Sequence, residues 1–158
     1  MKIILSAVNA TYNHTNLAIR YIAGYLREYP ANIPGSDVCL REFSINDSTE
    51  RVLEILRADE GDVYAFSCYI WNITFILSVA ADLKKIVPYA KIILGGPEVS
   101  YEDMSFFERY PYIDIIITGS GEKTLAGLIA SGPIASGKRI IAGEPVAIEE
   151  KSFPYRGD

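Results

Sequence analysis

Five times along this chain a short apolar run gives way to a small or polar turn and then to residues at helical spacing. The runs start at Lys2, Val38, Val63, Lys91 and Ile113. Lys2–Val8 and Val63–Cys68 show little polar alternation, the mark of strands covered on both faces. Val38–Phe43 alternates more and reads as nearer an edge. Strands that alternate with helices call for an open parallel sheet with helices on both faces.

The helical segments carry their own punctuation. Leu17, Tyr21, Ile22, Tyr25, Leu26 and Tyr29 share helical spacing, and Pro30 stops that run. Residues 30–36 form a turn-rich connector. Asp47-Ser-Thr-Glu50 reads as a capping box ahead of Val52, Ile55 and Leu56. Ile73, Ile76, Leu77, Ala80, Leu83 and Val87 mark a third helix, ended by Pro88. Ser100-Tyr-Glu-Asp103 reads as the start of a fourth, which carries Met104, Phe107 and Tyr110. The last holds Leu125, Leu128 and Ile129. After Gly132 the pattern dissolves into a tail with one possible short strand, Arg139–Ala142. The expectation is a domain over 1–142 and a linker over 143–158.

The chain has 158 residues, 49% of them apolar, and a net charge of -5. That length suits one domain with a proper core. The basic residues are scattered, so no nucleic-acid face is expected. No apolar run approaches the roughly 20 residues needed to cross a bilayer. The N-terminus reads as a first strand rather than a signal peptide. Cys39 and Cys68 fall in predicted strands and read as buried free thiols, which fits a reducing, cytoplasmic setting. Two distant cysteines cannot alone hold zinc or an iron–sulfur cluster.

Ligands on such sheets bind at the carboxyl ends of the strands, where strand order reverses. The loops expected there are Asn9–Thr15, Ser67–Asn72, Gly95–Ser100 and Thr118–Glu122. Gly95 and Gly96 allow positive φ and bare backbone against a ligand, and Pro97 fixes the exit direction. Four adaptable loops suit a broad, flat ligand. A dinucleotide fingerprint would need glycines after the first strand, and that loop has none. Gly119-Ser-Gly-Glu-Lys-Thr124 fails as a phosphate loop because Glu122 separates Gly121 from Lys123. It reads as a helix start with an acid against the dipole. A receiver domain would need acids where the chain has Val8-Asn9 and Ser67. No serine stands at an elbow for His14 to serve.

Three pieces then carry a specific resemblance. They are Asn9-Ala-Thr-Tyr-Asn-His-Thr-Asn-Leu-Ala18, Ile93-Leu-Gly-Gly-Pro-Glu98 and Asp114-Ile-Ile-Ile-Thr-Gly-Ser-Gly-Glu122. Together they resemble the cobalamin-binding domain found at the N-terminus of radical-SAM proteins, over residues 1–142. The resemblance implies a Rossmann-like (flavodoxin-like) α/β fold with five parallel strands in the order 2-1-3-4-5. It implies a corrin over the carboxyl edge with its nucleotide tail running down into the domain. Gly95, Gly96 and Pro97 would line it, and Ser67 resembles the serine that contacts the tail base. Gly119, Gly121 and Glu122 would form another part of the rim. Tyr69 and Trp71 would pack on the corrin or simply seal the sheet end.

The first loop would supply Asn9, Thr11, Tyr12, Asn13 and His14, with His14 a candidate cobalt ligand. The related methyltransferase motif is Asp-x-His-x-x-Gly, and Tyr12, His14 and Leu17 keep only the histidine. His14 would therefore lack an orienting carboxylate, and its other reading is a polar loop residue that helps cap the first helix. The radical-SAM motif Cys-x-x-x-Cys-x-x-Cys is absent. S-adenosylmethionine and a 4Fe–4S cluster would belong to a missing C-terminal domain, the expected partner. The parent would be a radical-SAM methyltransferase or Fe–S oxidoreductase, with no catalysis expected from this fragment alone. The alternatives are a docking or structural module of the same fold that has lost cobalamin, and, more weakly, a flavin-binding domain.

Overall fold

The computed structural model describes residues 1–29, 33–131 and 139–150. Its elements are β1 (Lys2–Asn9), α1 (Leu17–Glu28), β2 (Asp37–Ser44), α2 (Thr49–Ala58), β3 (Val63–Ser67), α3 (Ile73–Ile86), β4 (Lys91–Gly95), α4 (Ser105–Arg109), β5 (Ile115–Thr118), α5 (Glu122–Ala130) and β6 (Ile140–Ala142). All strand pairs are parallel. The order is β2-β1-β3-β4-β5-β6, so β2 is an edge and strand order reverses between β1 and β3.

Among the described residues the sheet has six strands where five were expected. The sixth is the possible strand of the tail, only three residues long and so faint in sequence. It covers the outer backbone of β5, whose Ile115–Ile117 is buried and would otherwise present bare peptide groups. Arg139 steers it in. Its guanidinium donates to the carbonyls of Ile113 and Asp114 and lies 3.8 Å from the Phe107 ring centroid.

Each sheet face has its own core. On one side α1 and α5 pack Ile19, Leu26, Leu125 and Ile129 over Ile3, Leu5, Ile93 and Ile117. On the other, α2, α3 and α4 cover Ile4, Tyr64, Ile92 and Leu94 with Leu56, Ile76, Leu83 and Phe106. Strands flanked this way must be apolar on both faces, which is why their runs are continuous.

Two helix starts differ from expectation. Ser48, not Asp47, caps α2 and accepts from the Arg51 amide, while Asp47 accepts from the Ser44 amide and leaves β2 in a tight turn. After β4 the chain makes a short 3-10 turn at Pro97–Val99, and α4 begins only at Ser105. There Asp103 accepts from both the amide and the hydroxyl of Ser105, so the acid lies ahead of the helix and not at its third position.

Gly143–Glu150 runs back along α5. The Gly143 amide donates to Thr118 O, the Glu144 amide to Thr124 Oγ1, and Lys123 pairs with Glu150 at 2.8 Å. Val146 is buried in the α1/α5 core. Pro30 and the last eight residues of the proposed linker lie outside the described residues. No helix among the described residues is long and apolar enough to cross a membrane.

Tyr64 shows how β3 is seated. Its ring is fully buried, and its hydroxyl donates to Leu56 O at 2.7 Å while accepting from the Gly61 amide at 2.9 Å. Tyr64→Phe strands both backbone groups. The expected loss of stability is about 1–3 kcal/mol, read as a lower urea midpoint at unchanged slope. A midpoint equal to wild type would contradict this.

Candidate functional site

A cavity of about 460 Å³ opens at the carboxyl edge of the sheet, on the α1/α5 face. Strand register explains it. Pairing sets Ala7 beside Ser67, Ser67 beside Gly95, and Gly95 beside Ile117. One layer deeper it sets Leu5 beside Ala65 and Ala65 beside Ile93. Residues two apart share a face, so Ala65, Ser67 and Gly95 stack small side chains between larger neighbours. The resulting trough is walled by Ala18, Ile19 and Ile22 of α1 and by Leu125 of α5. It lies beside the β1/β3 reversal, where open α/β sheets bind ligands.

The mouth is built from three of the four expected loops. Ser67 and Tyr69, then Gly95, Gly96 and Pro97, then Gly119, Gly121 and Glu122 all line this one cavity. The fourth loop goes elsewhere. Asn9, Thr11, Tyr12 and His14 line a separate hollow of about 320 Å³ with Arg41, Glu42, Asp47 and Arg51, over the opposite face. His14 is exposed, and its carbonyl accepts from Asn9 Nδ2 at 2.7 Å. Asn13 is exposed and lines neither space.

Of the two glycines expected to use positive φ, one does. Gly96 has φ +103, while Gly95 is an ordinary strand residue. A Cβ on Gly96 would stand 2.5 Å from Cys68 O and 2.8 Å from Cys68 N, so no side chain fits. This approach lets Cys68 N donate to Gly95 O at 2.7 Å and Glu98 N donate to Cys68 O at 3.3 Å. A Cβ on Gly95 would meet only Ile117 O at 3.6 Å. Glycine there leaves room in the trough without being required by the backbone.

Two asparagines that sequence reasoning left out hold the site in place. Asn72 is fully buried. Its Nδ2 donates to Val8 O at 3.0 Å and to Ser67 O at 3.1 Å, and its Oδ1 accepts from Tyr69 N at 2.8 Å. It thus ties the ends of β1 and β3 to the loop between β3 and α3. Asn16 caps α1 by accepting from Ile19 N, and its Nδ2 stands 3.5 Å from Ser67 Oγ. An asparagine immediately before each helical run was the available signal.

Tyr69 and Trp71 stack on one another, with ring centroids 4.5 Å apart. Only Tyr69 lines the trough. The segments at this edge of the sheet also carry exposed apolar side chains, among them Leu17, Ile70, Trp71, Met104 and Tyr101, the last 97% exposed. Cys68 is buried beneath the mouth, and burial pushes its thiol far above the ordinary range, so it stays protonated. Both cysteines are free thiols. Among the described residues no three His, Cys, Asp or Glu side chains are grouped to hold a metal.

Comparison with known proteins adds identity to this geometry. The family model for the B12 binding domain matches residues 3–129. The cobalamin-dependent radical SAM methyltransferase TokK of Streptomyces tokunonensis is 39% identical over 72 residues, covering 46% of this chain and 11% of its own. The 2-(S-pantetheinyl)-carbapenam-3-carboxylate methyltransferase of Streptantibioticus cattleyicolor is 33% identical over 112 residues, covering 68% of this chain and 16% of its own. The chain therefore spans a small part of the length of these relatives. Among solved structures, the apo form of the cobalamin-dependent S-adenosylmethionine radical enzyme OxsB superposes over 96% of this chain and 23% of its own, with a TM-score of 0.74 at 19% identity. That likeness is one of fold.

The Asn72 clamp yields a stability test. Asn72→Ala removes three hydrogen bonds and leaves buried backbone groups unpaired. The expected cost is about 2–4 kcal/mol, with faster amide exchange at Tyr69. Stability within about 0.5 kcal/mol of wild type, well under the worth of one such bond, would show that the clamp holds nothing.

Proposed function

The chain belongs to the B12 binding domain family, and from that premise we propose that it is the cobalamin-binding module of a larger radical-SAM Fe–S enzyme. The observation that carries the proposal is the trough. Three loops brought together by register meet at one apolar slot below a bare-backbone mouth.

Ala65, Ser67 and Gly95 leave a slot between the sheet and the helices α1 and α5, open enough that a side chain could stand on Gly95. Such a slot suits a flat tail group. The mouth offers Gly96, Pro97, Gly119 and Gly121, where backbone can approach a broad ring without obstruction. Tyr69 would flank the tail where it enters, and the exposed Ile70, Trp71, Met104 and Tyr101 would cover apolar edges of the ring or of a neighbouring domain.

Cobalamin, when bound, supplies the redox-active cobalt of a corrin ring. The protein's own part is to hold and orient. Ser67 Oγ is a hydroxyl in reach of a tail group, and it accepts from Asn16 Nδ2 at 3.5 Å. Asn72 fixes the loop that carries Tyr69. Cys68 is buried and lines neither the trough nor the hollow beside His14, so this reading gives it no part in binding. His14 stands outside the trough, so this reading rests no binding on it.

The radical-SAM part of the proposal is supported by the relatives, which are far longer than this chain and are methyltransferases by name. It expects a Cys-x-x-x-Cys-x-x-Cys motif and S-adenosylmethionine binding in a separate domain of the same protein. A full-length reading frame that lacks that motif would remove this part and leave cofactor binding standing.

Cofactor binding has its own test. Purified chain mixed with hydroxocobalamin and desalted is expected to keep the corrin's visible absorption at about one equivalent. Gly95→Leu is expected to fold with near wild-type stability, since its Cβ would meet only Ile117 O at 3.6 Å, yet to lose the chromophore because the rest of the leucine extends into the trough. His14→Ala is expected to keep both the chromophore and the wild-type spectrum. A wild-type chain that retains no chromophore, or a Gly95→Leu chain that retains it fully, would overturn the proposal.

A further inference from the structure

The loop over residues 118–122, which forms one side of the mouth, is touched from behind by the segment that follows β6. At Gly143 the two backbones meet. A Cβ there would overlap the Ser120 carbonyl and stand 2.6 Å from Thr118 O, so a side chain fits only if one backbone moves. That closeness lets the Gly143 amide donate to Thr118 O at 2.6 Å. On its other side the loop meets α1. A Cβ on Gly121 would stand 3.2 Å from Ile22 Cδ1, and Ile22 walls the trough. The loop is thus held between α1 and residue 143. Further along, the Glu144 amide donates to Thr124 Oγ1 at 3.0 Å, Val146 is buried in the core shared by α1 and α5, and Glu150 pairs with Lys123. Thr124 and Lys123 stand in the first turn of α5, directly after the loop.

We propose that Gly143 is a positioning residue for the cofactor mouth. Residues 143–150 clamp the loop 118–122 against α1, and so belong to the cofactor site although they lie beyond residues 3–129 matched by the family model. The inference rests on the cofactor reading above. Gly143 does not line the cavity itself; it acts through Ser120 and Gly121, which do. A loop that must be ordered as its ligand arrives spends part of the binding free energy on that ordering. A loop already fixed between two packed elements does not. Any side chain at residue 143 either lifts the returning segment or pushes the Ser120 carbonyl away, and both displacements loosen the same loop.

Two readouts on the 158-residue chain test the assignment. The first needs no cofactor. The Leu125 amide donates to Gly121 O, and the Ile22 Cδ1 methyl faces Gly121, so both report on the loop from positions away from residue 143. Gly143→Ala is expected to speed amide exchange at Leu125 and to shift the Ile22 methyl resonance, while exchange at Asn72 keeps its wild-type rate. The second readout is titration with hydroxocobalamin. Gly143→Ala is expected to bind about tenfold more weakly. Thr124→Val, which removes the acceptor of the Glu144 amide, is expected to bind about threefold more weakly. Tyr64→Phe, altered on the opposite face of the sheet, is expected to bind as wild type wherever it is folded, which separates a displaced loop from a weakened fold. An unchanged Leu125 amide and Ile22 methyl in Gly143→Ala would overturn the positioning role whatever the cofactor does. A Gly143→Ala affinity equal to wild type would overturn it too, as would an equal loss in Tyr64→Phe. If Gly143→Ala does not fold, Thr124→Val carries both readouts by the same criteria. A wild-type chain that binds no hydroxocobalamin would bring down the cofactor reading, and a first readout that still moves would then leave the clamp as a feature of the fold alone.

Discussion

The Cys68 backbone passes so near Gly96 that no side chain can stand between them, and the site depends on that closeness. The approach joins the loops after β3 and β4 through the Cys68–Gly95 and Glu98–Cys68 hydrogen bonds. It requires positive φ at residue 96, which glycine reaches without strain. With the two loops fixed, Ser67 and Gly95 lie in one lateral row and the trough has a defined mouth. Asn72 extends the same constraint to β1 by joining the strand ends on both sides of the reversal.

The strand–helix alternation was legible because each element repeats one physical signal. Strands buried on both faces read as continuous apolar runs, and helices read at their own period. The order of the first five strands came instead from the family resemblance, and the sheet has that order. What escaped depended on few residues or on distant partners. β6 is three residues long, and its reason for existing is the open edge of β5 rather than its own pattern. The α2 cap moved by one residue because Asp47 closes a turn on Ser44, a competition between two acceptable uses of one side chain. The late start of α4 has a similar cause, since Pro97 begins a 3-10 turn before the helix can form.

The site was legible in part. Glycines and a serine at strand ends announced the trough, since small residues there leave space whatever the ligand. Register between strands is not written in any one of them, so the lateral row of Ala7, Ser67, Gly95 and Ile117 emerged only in three dimensions. Asn16 and Asn72 look like simple helix starts, and Asn16 is one, but their amide groups reach across to Ser67 and the β1 end. The loop Asn9–Thr15 shares the same edge but turns toward the α2 side, where Tyr12 donates to Asp47 and Asn9 holds the loop closed on itself. Proximity along an edge does not decide which face a loop serves. That distinction separates His14 from the residues of the trough.

The central claim is that one trough on the α1/α5 face receives the cofactor's tail. A crystal structure of this chain grown with cobalamin tests it most directly. The account predicts density for the tail base between Ala65 and Ser67 of β3 and the helices α1 and α5, with the corrin over Gly96 and Gly119. A base left outside the fold, or density seated in the hollow beside His14 and Arg41, would contradict it.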